Sequence, residues 1–252
     1  MDFTDKVVLI TGASRGIGRA IAQRFAQYGA RLAIHYNRDR EAAEHTQALL
    51  SGGPHAIFQA DVAQAESVEQ LVNTIVRDMG RLHVVVNNAA INEWQPLLRI
   101  DYDKWNDIWQ RTLATNVIGP SNLMFHAARH MAEHGGGHIV NISSRGAFRG
   151  TPKSPAYAAS KAALNAMSQS LAQALAPHNI FVYVVAPGFV ETDMSASILA
   201  SPRGKDIREQ SPLNRVGRPE EVAAIVTFLA SGEADFATGT IVDVNGASYL
   251  RS

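Results

Sequence analysis

The sequence predicts an α/β fold, a doubly wound parallel sheet flanked by helices on both faces. Three observations carry this reading. Short, β-branched-rich apolar runs alternate with segments whose apolar residues recur at helical spacing. Runs such as Leu82 to Val86 are apolar throughout, the pattern of strands buried on both faces. The first run enters its helix through a glycine-rich turn, TGASRGIG, from Thr11 to Gly18.

Taken in order, Val7 to Ile10 reads as the first strand and RAIAQRFAQYGA as the helix after the glycine turn. A strand before and a helix after are what give a glycine motif its meaning. Glycines let the backbone approach a pyrophosphate closely, and a helix N-terminus offers unpaired N–H groups. The spacing, Gly12, Gly16 and Gly18, differs from the common GxGxxG. Arg31 to Tyr36 is the next strand and Glu41 to Leu50 the next helix. An acid closing that strand would hold a ribose 2′-OH, but none appears before Asp39. Asn37, Arg38 and Arg40 stand there instead, with Arg15 in the glycine loop. This set suits a 2′-phosphate, so NADP(H) is preferred over NAD(H). The alternative is that Arg38 and Arg40 point into solvent at the head of a helix.

Ala56 to Ala60 reads as a third strand ending at Asp61-Val62. The carboxylate there either accepts from an adenine amino group or caps the next helix, Ser67 to Met79. Asn87 and Asn88 close the strand Leu82 to Val86, where ligands of parallel sheets bind. A long helical stretch runs from Tyr102 to Met131 and contains Asn116 just before a Gly-Pro break. Ile139 to Ser143 is a strand that delivers Ser144. After it come Tyr157 and Lys161, in YAASK, on a helix that continues to Pro177. Residues four apart share a helix face, so the phenol and the ammonium are neighbours. Alone, that pair is common on ordinary helices. Phe181 to Val185 is another strand, Ser195 to Gln210 has the profile of a substrate lid (near 190–212) or a plain surface loop, and TGTIVDVNGA closes the sheet. No linker, repeat or composition shift divides the chain, so residues 1–252 are expected to form one domain.

Composition excludes several classes. Lys+Arg and Asp+Glu balance at 23 each, which gives no net field for nucleic acid or an anionic membrane. There is no cysteine, hence no disulfide or thiolate chemistry. The nine histidines show no HxH or HExxH spacing, so no metal site is expected. The opening MDFTDKVVLITG lacks a basic n-region, and no apolar stretch approaches the ~18 residues of a membrane span. A cytoplasmic protein is expected.

Together the motifs resemble the short-chain dehydrogenase/reductase family in its single-domain branch. They are TGASRGIG at 11–18, Asp61-Val62, NNAA at 87–90, Asn116, Ser144, YAASK at 157–161, PGFVETDM at 187–194, RVGRPEEVA and DVNGA. The resemblance spans essentially the whole chain and implies a Rossmann-type sheet of about seven strands, in the order 3-2-1-4-5-6-7. It implies that Ser144 binds the substrate oxygen, Tyr157 is the proton donor, Lys161 holds the nicotinamide ribose and lowers the Tyr157 pKa, and Asn116 orders a water leading from Lys161. It places Gly12, Ser14, Arg15, Gly16, Ile17 and Gly18 at the cofactor phosphates and Asp61 and Val62 at the adenine. Asn88 and Ala89 fall at the ribose, and Pro187, Gly188, Val190 and Thr192 near the nicotinamide. It further implies a homotetramer paired through the long helices after strands four and five and through the last strand. Two departures stand out: Ala90 replaces the usual glycine of NNAG, and Gly246-Ala247 replaces a glycine pair.

The chemistry so implied is carbonyl–alcohol interconversion, with a 3-oxoacyl thioester, small ketone or sugar as substrate. A Lys ammonium ~4 Å from a phenol, at an effective dielectric of ~20, is worth ~4 kcal/mol, or ~3 pKa units. Arg145 and Arg149 read equally as a mouth favouring an anionic group or as a solvent-facing pair. The alternative function is a catalytically silent NADP-binding regulator on the same fold.

Overall fold

A computed structural model describes residues 1–251. Seven strands, β1 (Val7–Ile10), β2 (Arg31–Tyr36), β3 (Ala56–Gln59), β4 (Val84–Asn87), β5 (Gly137–Ile142), β6 (Ile180–Pro187) and β7 (Ile241–Val244), form one parallel sheet. Their order is 3-2-1-4-5-6-7, as the family resemblance implied. The order reverses between β1 and β4, and the C-terminal ends of these strands open a crevice at that switch point.

Alternation along each strand builds two cores. Val8 and Ile10 of β1 face one layer with α1 (Gly16–Gln27), α2 (Arg40–Ala48) and α10 (Pro219–Leu229), through Ile21, Phe25, Ala43, Val222 and Val226. Val7 and Leu9 face the other, with α3 (Ala65–Met79), α5 (Gly119–Glu133) and α7 (Pro155–Leu175), through Val68, Ile75, Leu123 and Leu164. The remaining helices are α4 (Tyr102–Leu113), α6 (Gly146–Arg149), α8 (Asp193–Ala200) and α9 (Arg203–Glu209). The span expected to be an irregular lid therefore carries two short helices, α8 and α9.

The expected Gly-Pro break is absent. Residues Ala114–Ile118 form a π turn between α4 and α5, in which the Gly119 N–H donates to the Ala114 carbonyl. Pro120 then falls in the first turn of α5, where its missing N–H costs nothing.

Four histidines accept a main-chain N–H through a ring nitrogen: His35, His83, His130, and His55, which takes that of Leu32 at 3.2 Å. His35, 1 % exposed on β2, accepts from Gly12 N–H at 3.1 Å through Nδ1, so its Nε2 carries the proton toward the Ala60 carbonyl at 3.1 Å. His83 accepts from Val7 N–H at 3.0 Å, and His130 from Leu82 N–H at 3.2 Å. Burial pushes the His35 and His83 pKa values down to about 4, and that of His130 down as well.

In the unfolded chain these imidazoles protonate at their ordinary value near 6.5. Protons therefore favour the unfolded chain as pH falls from about 6.5 toward about 4, and His35 alone costs on the order of 3 kcal/mol by the lower end. Urea denaturation is expected to show a falling midpoint across this window, and His35→Asn is expected to flatten the fall.

Candidate active site

The glycine turn forms a tight bend at the end of β1. Gly12 and Gly16 lie at φ +63° and +55°, conformations that side chains resist. A Cβ on Gly18 would sit 2.3 Å from the Gly12 carbonyl oxygen, so only glycine lets α1 start this close to the turn. Asn88 ties the bend to β4 by donating to the carbonyls of Thr11 (2.9 Å) and Gly12 (3.1 Å). Thr11 Oγ1 accepts from the N–H groups of Asn88 and Ala89 in return. The Asn88 amide protons are thus spent on the loop. The first turn of α1 has neither a side-chain cap nor an acidic residue. Its N–H groups are left for an anion, which fits a dinucleotide pyrophosphate. Around this turn, the Ser14 carbonyl is bound by Arg19 and Thr46, Ile17 packs on the core and Arg15 is exposed.

The proton-handling candidates meet at the end of β5. Tyr157 and Lys161 lie one turn apart on α7, with Nζ 5.7 Å from the centre of the phenol ring. Lys161, 3 % exposed, donates from Nζ to the Ile142 carbonyl at 2.8 Å. Ser144 accepts from Gly146 N–H at 3.0 Å, which leaves its own proton to donate. Burial pushes the Lys161 ammonium down to about 8. It pushes the Tyr157 phenol up, opposed in part by the Ser144 hydroxyl. The expected lowering of the phenol by Lys161, to which an oxidised nicotinamide would add, belongs to the cofactor-loaded site; the shift here is that of the chain by itself. Nζ is held on a main-chain carbonyl, and desolvation of the phenolate outweighs the hydrogen bond from Ser144.

Asn116 is fully buried in the π turn. Its Oδ1 accepts from Ile91 N–H at 2.9 Å, and its Nδ2 donates to the Ile91 carbonyl (2.9 Å) and to Ser160 Oγ (3.0 Å). Ser160 in turn donates to the Tyr157 carbonyl at 2.7 Å. Asn116 thus joins the chain after β4 to the helix that carries Tyr157, and its link to that helix is Ser160.

The last wall follows β6. Pro187 accepts from Arg145 N–H, Gly188 packs on Asn245, and Val190 forms a bridge with Gly217. Thr192 lies over Gly16, whose Cβ would come within 3.3 Å of its methyl group. The loop after β6 therefore closes onto the glycine turn.

At the adenine end, Asp61 Oδ1 accepts from Ala63 N–H at 3.0 Å, a turn that precedes α3 and does not cap it, since Gln64 is the cap residue and no side chain caps that helix, and Val62 is buried. Asn37 and Arg38 are exposed beyond β2, and Arg38 makes no ion pair among the described residues. Arg40 differs, since Glu44 holds it at 2.7 Å one helical turn on.

Comparison with known proteins agrees with this geometry. Residues 12–247 match the family described as Enoyl-(Acyl carrier protein) reductase. The chain is 38 % identical over 254 residues to an uncharacterized oxidoreductase of Thermotoga maritima, covering 98 % of this chain and 99 % of that one. It is 37 % identical over 250 residues to the 3-oxoacyl-[acyl-carrier-protein] reductase FabG of Salmonella typhimurium, covering 99 % and 100 %. A short-chain type dehydrogenase/reductase from Mycobacterium ulcerans superposes with a TM-score of 0.93 at 32 % identity, over 100 % of this chain and 92 % of that one. The chain belongs to the short-chain dehydrogenase/reductase family.

As a short-chain dehydrogenase/reductase it is an oxidoreductase that works with a nicotinamide cofactor. Its two departures from the family pattern behave differently. Ala90 keeps a negative φ, so the NNAA variant carries no strain there. Ala247 sits at φ +57°, where glycine is favoured, and takes the strain at the C-terminal end instead. Sequence reasoning missed His35 and Ser160. For His35 the available signal was a lone polar side chain in RLAIHY just before the strand end. For Ser160 it was a hydroxyl directly before Lys161. Among the described residues no cluster of His, Asp and Glu is placed to hold a metal ion, and no helix is long and apolar enough to cross a membrane.

Proposed function

We propose that this chain interconverts a carbonyl and a secondary alcohol with NADP(H), using Tyr157 as general acid and base. One observation carries the reading. A buried Lys161 and a Ser144 with a free proton flank Tyr157 where the sheet opens, beside a glycine turn that leaves helix N–H groups unclaimed.

The nicotinamide, when bound, supplies or accepts the hydride at its C4. The remaining work falls to the chain. Ser144 donates its hydroxyl proton to the carbonyl oxygen and holds it beside Tyr157. The Tyr157 O–H delivers a proton to that oxygen as it becomes an alkoxide, and in the reverse direction the phenolate removes it. Lys161, with its pKa brought down to about 8 by burial, holds a proton it can release near neutrality. Asn116, through Ser160, keeps the backbone at Tyr157 in register.

The exposed Asn37 and Arg38, with Arg15, support NADP(H) over NAD(H), since no carboxylate closes β2 to repel a 2′-phosphate. The named relative supports a 3-oxoacyl thioester as one substrate to try. A single domain with α8 and α9 as lid, a cytoplasmic setting and a homotetramer belong to the same reading. The exposed Leu113, Ile118 and Phe125 on the α4–α5 rod support self-association.

The test follows the absorbance of the reduced nicotinamide with ketones, diketones and 3-oxoacyl thioesters. Turnover is expected with NADPH, and Tyr157→Phe is expected to lower kcat by about 10²-fold or more while NADPH still binds. Saturable NADPH binding without turnover of any carbonyl would favour a silent regulator. Separately, Arg38→Glu is expected to lower kcat/KM for NADPH relative to NADH by about tenfold. An unchanged ratio would remove Arg38 from the 2′-phosphate site.

A further inference from the structure

Among the described residues only two Lys, Arg, Asp or Glu side chains are buried: Lys161, 3 % exposed, and Arg145, 6 %. Lys161 has a place in the proposed chemistry. Arg145 has none, although it directly follows Ser144. A buried cation is costly unless an opposite charge meets it, and a buried titratable group in a cleft is a candidate for function.

No carboxylate of the described residues pairs with Arg145. Its Nη1 donates to Ser248 Oγ and its Nη2 to Gln210 Oε1, each at 2.5 Å, and its guanidinium lies 5.2 Å over the Phe189 ring. Arg149 Nη1 donates to the same Gln210 oxygen at 3.1 Å. Two guanidinium groups thus converge on one neutral amide oxygen, a position that carboxylates ordinarily fill. The solvent-facing alternative holds for Arg149, which is exposed, and fails for Arg145.

Of the acids that share its cavity, Glu221 is held by Arg215 at 2.7 Å and Asp243 Oδ2 by Arg251 at 2.7 Å, while Asp243 Oδ1 is buried without a partner. Arg145 also forms part of the wall of a cavity of about 160 Å³, with Phe189, Ile207 and Ser211, which leaves room for a small group. Its N–H is fixed on the Pro187 carbonyl at 2.9 Å, so the guanidinium reaches from the Ser144 turn to the end of α9. Burial and the neighbouring Arg149 push its pKa down to about 10, as expected of an uncompensated pair of cations.

We propose that Arg145 and Arg149 form a carboxylate-binding site beside Ser144, with Gln210 as its neutral third wall. It takes either the acid group of a carbonyl substrate or a free small carboxylate. The substrate case rests on the carbonyl–alcohol reading above; the free-anion case does not.

The test pairs oxo acids, their carbonyl and acid groups at increasing separation, with their methyl esters, and reads kcat/KM with NADPH. For at least one separation the acid is expected to exceed its ester by about tenfold or more. Gln210→Glu supplies an internal carboxylate, and Arg149→Gln removes the exposed cation. Each is expected to bring the acid-to-ester ratio to about one. Propionate distinguishes the sources. Competition with the oxo acid assigns the site to substrate, and non-competitive inhibition assigns it to a free anion.

Esters used as well as acids at every separation, with propionate neither inhibiting nor raising the melting temperature, would overturn the proposal. If no carbonyl of any kind is reduced, the reductase reading fails on its own account. Propionate then decides the site by itself. Thermal stabilisation of the wild type that is absent in Gln210→Glu supports it, and equal shifts in the two proteins overturn it.

Discussion

The ammonium of Lys161, held on the carbonyl of Ile142 at 2.8 Å in a place water does not reach, is the constraint around which this molecule is arranged. A charge so placed demands a partner, and the end of β5 supplies one from its last main-chain carbonyl. That bond pins α7 against the sheet and so sets where Tyr157 stands. Burial then acts on the two groups in opposite directions, lowering the ammonium and raising the phenol. Both shifts disfavour charge, yet with its pKa at about 8 the ammonium still carries its proton at neutral pH beside a neutral phenol. A positive nicotinamide ring beside the phenol would oppose the tyrosine's shift, so the acid–base role proposed for Tyr157 draws on the bound cofactor together with Lys161.

The same economy governs the other half of the crevice. Gly12 is gripped from three sides: His35 takes its N–H, Asn88 donates to its carbonyl, and Ala89 would crowd a side chain at 3.1 Å. The turn therefore stands ready before any ligand arrives, and α1 begins without a cap of its own. Preorganisation of this kind lowers the ordering cost of binding. Neutrality of His35 is part of the device, because a protonated imidazole cannot accept from Gly12 and Nε2 is already committed to Ala60.

Much of this was legible in the sequence. Apolar runs and helical spacing marked each strand and most helices, and the glycine turn marked the crevice. Asn116, Ser144, Tyr157 and Lys161 were singled out by type and position, and the fold brings their neighbourhoods together at the end of β5. What was hidden depends on distant packing. His35 is buried between the Gly12 N–H and the Ala60 carbonyl, contacts that RLAIHY does not announce. The π turn at 114–118 absorbs a proline that ordinarily signals a break. The direction of the Tyr157 shift depends on whether Nζ aims at the phenol or at a carbonyl, and spacing on one helix face leaves that open. Arg145 looked like half of a solvent-facing pair because its burial is made by Phe189, Gln210 and Ser248, all far along the chain.

The most direct measurement is the ultraviolet titration of Tyr157, taken as the difference between the wild type and Tyr157→Phe, without cofactor and with NADP⁺ bound. The account expects a midpoint above the ordinary phenol value of about 10 in the protein alone, and a clear fall on binding NADP⁺. A midpoint near neutrality in the protein alone, or one that NADP⁺ leaves unmoved, would contradict it.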